Sequence, residues 1–157
     1  MPYHSISEKS FWDDVTPAKL MYLREAALDI GFDAAALPLG DAVAGDPPLL
    51  VMLKFPPGGL LIRHAHDCYR VEVIVSGTLT TPEGTLLKPG TVMTSGAGEY
   101  YGPHTAGPEG AVTAEIFSST YARIDYELTS ASPDSTSYKV MQKLADRVKT
   151  EKPNAGQ

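Results

Sequence analysis

The chain holds a single cysteine, Cys68, in 157 residues, so no intramolecular disulfide can staple it, and a reducing, cytoplasmic setting is expected. No run approaches the roughly 20 consecutive apolar residues that a membrane helix needs. The opening MPYHSISEKSFWDD lacks the basic start and apolar stretch of a secretory signal. Positive charge is also scarce: 13 Lys and Arg against 19 Asp and Glu give a formal net charge of −6. With no basic cluster to neutralise a run of phosphates, neither nucleic acid nor an anionic membrane surface is an expected partner. Internal repeats and low-complexity blocks are absent as well.

What is present suits one globular domain. Hydrophobic residues make up 43% and charged residues 20%, enough apolar surface for a core and enough charge for solubility. Gly (14) and Pro (13) are scattered between short β-branched runs, which is how an all-β domain with many turns reads. Residues 1–47 read as a helix and a lead-in. Thr16 serves as cap, Pro17 sits at the first helical position, Leu20, Leu23, Ala27 and Leu28 make a stripe, and Gly31 ends the helix. The stretch from Asp33 to Asp46, with weak periodicity and many small residues, reads as a loop.

Residues 48–130 read as an antiparallel barrel. Runs such as LLVMLKF, RVEVIVS, TVMTS and AVTAEIFSS alternate with the turn signals PPGG, Gly77, EG and GAGE. Strand parity puts Arg70, Glu72 and Ile74 on one face and Val71, Val73 and Val75 on the other. Leu53, Ile62, Ile74, Met93 and Phe117 are the expected wall of an interior cavity, apolar enough to favour a small organic substrate over a sugar phosphate. Residues 131–157 read as a C-terminal helix with Val140, Met141, Leu144 and Val148 on one side, followed by a frayed tail. The apolar sides of the two helices make a homodimer the expected assembly.

The chemistry concentrates in histidine. Three of the four histidines fall within the barrel, as His64-Ala65-His66 and then His104. Alternate residues of a strand point the same way, so an HxH aims two imidazoles at one point from positions roughly 6.5 to 7 Å apart. A third ring from a neighbouring strand would complete half a coordination shell, open elsewhere to water, substrate or dioxygen. Neutral imidazole suits Fe(II), Zn, Ni, Cu or Mn(II). The plain alternative is a pair of idle surface histidines, for an HxH alone is a weak signal.

PPGGLLIRHAHDCYRVEVIVSG resembles the first cupin motif through Gly59, His64, His66 and Gly77, and KPGTVMTSGAGEYYGPHTAG resembles the second through Gly90, Gly98 and His104. The resemblance runs from about Phe55 to Phe117 and implies an all-β cupin barrel holding a metal ion. Two departures stand out. The first motif usually has a glutamate after three or four residues intervening beyond the HxH, whereas Glu72 follows after five, and counting back from Gly77 the usual slot falls near Arg70. In the second, Gly96 replaces a proline and the histidine comes late.

The pattern is similar to the three-histidine branch, the acetylacetone-cleaving and dihydroxyacetophenone dioxygenases. That likeness implies Fe(II), with Zn, Ni or Mn as alternatives, and oxygen-dependent cleavage of a C–C bond in a small ketone or diketone. A redox-neutral isomerase, lyase or hydrolase and a non-catalytic binding module stay open beside it. The likeness puts Glu99, shortly before His104, where it could accept a hydrogen bond from a bound water or a ligand histidine; the alternative is a solvated loop carboxylate. Glu72 is a possible fourth ligand if a bulge follows His66, or else a neighbour of Arg70 or a substrate contact. Arg70 could hold a substrate oxygen or sit at the rim in water. Tyr101 is favoured over Tyr69 and Tyr100 as a hydrogen-bond donor near the metal, against the commoner role of barrel wall. Cys68 reads as a small half-buried filler and His4 as an exposed tail residue.

Overall fold

The computed structural model describes residues 3–127 apart from 122, together with residues 139, 142, 143 and 146. Its helices are α1 (Lys9–Asp14), a 3-10 turn (Ala18–Leu20) and α2 (Met21–Asp29). Nine strands follow: β1 (Asp33–Pro38), β2 (Leu49–Phe55), β3 (Leu60–Leu61), β4 (His64–His66), β5 (Arg70–Thr80), β6 (Leu86–Leu87), β7 (Val92–Ser95), β8 (His104–Phe117) and β9 (Ile124–Tyr126). One antiparallel sheet runs β1-β2-β8-β5-β6, with β3 on the start of β8 and β7 on β5. Facing its histidine end, β4 and β9 form a small second sheet. Among the described residues no helix is long and apolar enough to cross a membrane.

The two long strands, β5 and β8, set the geometry. Their register pairs Arg70 with Phe117, Glu72 with Glu115 and Ile74 with Thr113, then shifts at a bulge before Ser76. Because neighbours on a strand face opposite ways, Phe117, Glu115, Thr113 and Ala111 point inward beside Arg70, Glu72 and Ile74, and all seven are buried. At Gly77 a Cβ would come within 2.1 Å of the Gly110 carbonyl, and φ is +68°. Only glycine lets the strands approach so closely there.

The lead-in departs from the sequence expectation: Asp33–Pro38 is a strand rather than a loop, in register with β2 from Asp33–Lys54 to Pro38–Leu49. Its periodicity is weak because both of its faces are buried. Ala34 and Ala36 pack into the interior, while Ala35 meets Phe11, Trp12 and Met52 on the outer face. Short side chains let α1 and the inner core approach the strand from either side. The helix α1 was not anticipated. Six residues are too few to show a period, and it is fixed by burial of Phe11 and Trp12.

The next helix also begins later than the cap signal implied. Thr16 does not cap it; its Oγ1 accepts from Ala36 N at 2.9 Å, tying the turn to β1. Leu20 and Ala27 are buried as the stripe requires, Leu28 is 49% exposed, and Gly31 ends the helix at φ +79°. Arg24 of α2 bonds Asp13 of α1 (2.6 Å) and Asp33 of β1 (3.0 Å), joining the three elements. Lys139, Gln142, Lys143 and Asp146 are helical. The apolar stripe of the expected C-terminal helix, Val140, Met141, Leu144 and Val148, lies outside the described residues.

Candidate active site

The HxH strand is anchored on both edges. On one it pairs with β9; on the other His64 and Tyr101 exchange two backbone hydrogen bonds of 3.1 and 2.9 Å, and Gly98 N donates to the His66 carbonyl at 2.7 Å. The loop over residues 96–101 that lengthens the second motif is thereby stitched to β4 and carries Tyr101 inward. His64 and His66 share a side of the strand, with ring centroids 5.2 Å apart. Tyr101 lies among the histidines, 4.4 Å from His64, 6.2 Å from His66 and 6.4 Å from His104, which opens β8 opposite Leu61. All three imidazoles are buried.

Burial fixes their charge state. Desolvation pulls His64 down to about 4, outweighing the hydrogen bond to the Ile62 carbonyl, and the charges of Arg70 and His104 push the same way. The same desolvation holds His66 well below its ordinary value, aided by His64 and Arg70, and lowers His104 against the pull of Glu72. At neutral pH all three are therefore uncharged. A carbonyl only accepts, so the 2.7 Å contact makes His64 Nδ1 the donor to Ile62 and leaves the lone pair on Nε2. His66 Nδ1 is buried with no hydrogen-bond partner among the described residues.

Beside the rings sits a buried ion cluster. Arg70 donates through one Nη to Glu72 and to Glu115 (2.8 Å), through Nε to Ser95 Oγ (3.3 Å), and lays its guanidinium 3.6 Å over the Tyr101 ring. Desolvation opposes its charge, yet Glu115, Tyr101 and Glu72 raise its pKa above the ordinary value. Glu115 is pushed up to about 7, first by burial and then by Glu72, with Arg70 pulling it down. Oε1 of Glu72 is buried without a partner among the described residues.

A cleft of about 690 Å³, counting its open mouth, runs from this cluster under α2. Leu23, Ala27, Val51, Leu53, Leu61 and Phe117 are among its apolar wall, and its polar lining is His64, His66 and Glu115. Of the anticipated wall, Leu53 and Phe117 face it, whereas Ile62, Ile74 and Met93 belong to the core behind.

The structure thus gathers His64, His66, His104 and Arg70 around Tyr101, with Glu72 bonded to Arg70. Glu99 is exposed, and its carboxylate closes its own turn by accepting from Gly96 N at 2.7 Å. Tyr69 is 70% exposed, Tyr100 bonds Asp125 at 2.8 Å, Cys68 is buried and His4 is exposed. Sequence reasoning passed over Glu115. The available signal was parity: in AVTAEIF the glutamate shares a face with Ala111, Thr113 and Phe117, an acid where an apolar residue is the rule.

The donor set fits a divalent metal in kind: buried, neutral imidazoles, one with its tautomer fixed and another with a free buried nitrogen. Among the described residues no group of three or more His, Cys, Asp or Glu side chains is already arranged to hold an ion.

No family model and no curated protein sequence matches the chain. Among solved structures it is similar to the polyketide cyclase RemF from Streptomyces resistomycificus, at 17% identity over 70% of this chain and 83% of that one, with a TM-score of 0.51. A sugar phosphate isomerase from a cupin superfamily of Silicibacter pomeroyi matches at 20% identity over 73% and 74%, with a TM-score of 0.48. An RmlC-like cupin from Shewanella frigidimarina matches at 20% over 57% and 77%, with a TM-score of 0.46. The chain has the cupin fold. At these identities the likeness speaks for the cupin architecture alone, so the chemistry must be argued from the residues.

Proposed function

We propose that this cupin is a metal-dependent enzyme in which His64, His66 and His104 hold one divalent ion, Fe(II) before Zn, Ni or Mn, and which cleaves a C–C bond of a small ketone or diketone with dioxygen. The observation that carries the reading is the burial of three imidazoles around Tyr101, of which His64 and His66 line an apolar cleft. An ion held there supplies Lewis acidity to a carbonyl and, as iron, redox chemistry toward dioxygen.

The residues of the chain supply the rest. The Ile62 carbonyl orients the His64 ring and keeps its lone pair on Nε2. Tyr101 lies among the rings with the Arg70 guanidinium over its face, and the apolar wall excludes water from a bound substrate. Glu72 has a free Oε1 within the cluster, so it remains the proposed fourth ligand, while its Oε2 is given to Arg70.

Glu115 favours a second reading. A cavity carboxyl poised near 7 suits proton transfer in a redox-neutral isomerase, lyase or hydrolase. Elemental analysis of protein purified without added metal, followed by oxygen uptake with a panel of diketones, separates the two. Iron with substrate-dependent oxygen consumption supports the first, and turnover without oxygen supports the second. His64→Ala is expected to lose the metal and at least ~100-fold in activity; full metal retention in that variant would overturn both readings.

A further inference from the structure

Glu115 lines the cleft from near the C-terminal end of β8 at 4% exposure, the single acidic group among the described lining residues. Its Oε2 accepts from Arg70 at 2.8 Å, and no hydrogen bond to Oε1 is found among the described residues. Arg70 is itself absent from the lining and is shared with Glu72, so two carboxylates face one guanidinium. With the metal removed, a ligand carboxylate or phosphate entering the cleft would meet this negative excess with no cationic side chain among the described lining residues to pair with, and burying an unpaired anion is costly. A purely hydrocarbon ligand would cover Oε1 and leave it dry and unpaired, which is also unfavourable. A hydroxyl satisfies both conditions, since it carries no charge and can donate to a carboxylate or accept from a carboxylic acid.

We propose that Glu115 is the recognition residue of the cleft, holding the hydroxyl of an uncharged, otherwise apolar ligand such as a phenol, whose hydrocarbon body lies against α2, β1 and β2. This rests on the reading of the cleft as the ligand site and does not require the metal. Isothermal titration of the full chain, as purified and again after chelation, with 4-methylphenol, toluene and 4-methylbenzoate tests it. The phenol is expected to bind roughly tenfold or more tightly than toluene in both states, and the benzoate more weakly than either after chelation.

In Glu115→Leu, where Arg70 keeps Glu72, the preference for phenol over toluene is expected to fall to about one while toluene binding stays within a few-fold. A preference that survives Glu115→Leu overturns the proposal. A preference that vanishes on chelation also overturns it, assigning the hydroxyl to the metal and leaving the metal reading intact. If none of the probes binds while the purified protein retains its metal, the cleft is not the ligand site and the proposal falls with it.

Discussion

The inner face of β5 and β8 divides into two halves that are equally buried and chemically opposite. Toward His64 and His66 lie Arg70, Glu72 and Glu115, at 2%, 1% and 4% exposure; past the middle come Ile74, Leu79 and Ala111, at 1%, 0% and 4%. The same two strands supply both halves, so backbone geometry does not account for the difference. Burial of three ionisable groups is expensive, and their mutual attraction repays it only with good geometry. A barrel selected for stability alone would carry its apolar half through to the mouth. The polar half is therefore where this chain gives up stability for a site, next to the cleft and the imidazoles of His64 and His66.

The largest effect is expected from breaking the ion cluster on one side. Arg70→Ala leaves Glu72 and Glu115 buried without their shared partner and should cost about 3–5 kcal/mol in urea unfolding. A triple change, Arg70→Met with Glu72→Leu and Glu115→Leu, sharpens the contrast, because replacing the whole cluster by apolar groups should restore or exceed wild-type stability while abolishing the site. If the triple variant is as unstable as Arg70→Ala, the cluster is structural and the contrast fails. In the apolar half, Leu79→Ala should cost about 3 kcal/mol as a cavity is opened at a fully buried position. Here the two halves should part company: probe binding beside Glu115 is expected to stay unchanged in folded Leu79→Ala protein, and altered probe binding would show that the halves are not separable.

How much of this could be read from the chain follows the same division. The apolar half was legible, since β-branched alternation and Gly31 at a helix end each have one physical meaning, whereas Gly77, read as a turn signal, lies inside β5 where its missing Cβ lets β8 approach. The HxH and His104 were legible as a group because imidazoles are rare here and two of them sit two residues apart. The strand β1 was not, because a run of alanines buried on both faces shows no alternation. Glu115 was passed over because its partner Arg70 lies 45 residues away in sequence, and only strand register brings them together. Arg70 could be seen to displace a motif glutamate, yet its role needed the structure: the guanidinium goes to two carboxylates and the face of Tyr101.

A smaller effect, on pH dependence, tests the electrostatics of the polar half. His64, at about 4 when folded, stays neutral while its unfolded counterpart takes up a proton near 6.5, and burial shifts His66 and His104 in the same direction. Their contribution is therefore fully present above pH 6.5 and is lost as pH falls toward 4. Glu115 acts in the opposite sense. Its folded value of about 7 exceeds the ordinary 4.5, so its contribution is full below 4.5 and is lost as pH rises through 7. With three histidines set against one glutamate, the Tm of chelator-treated protein should fall by roughly 5 °C between pH 7 and pH 5. Glu115→Gln removes the opposing contribution, so its fall over the same window should be steeper than that of the wild type. A wild-type Tm that holds steady would mean the rings accept protons in the folded chain. Parallel slopes in the two proteins would mean that Glu115 is already ionised at pH 5, its charge fully met by Arg70.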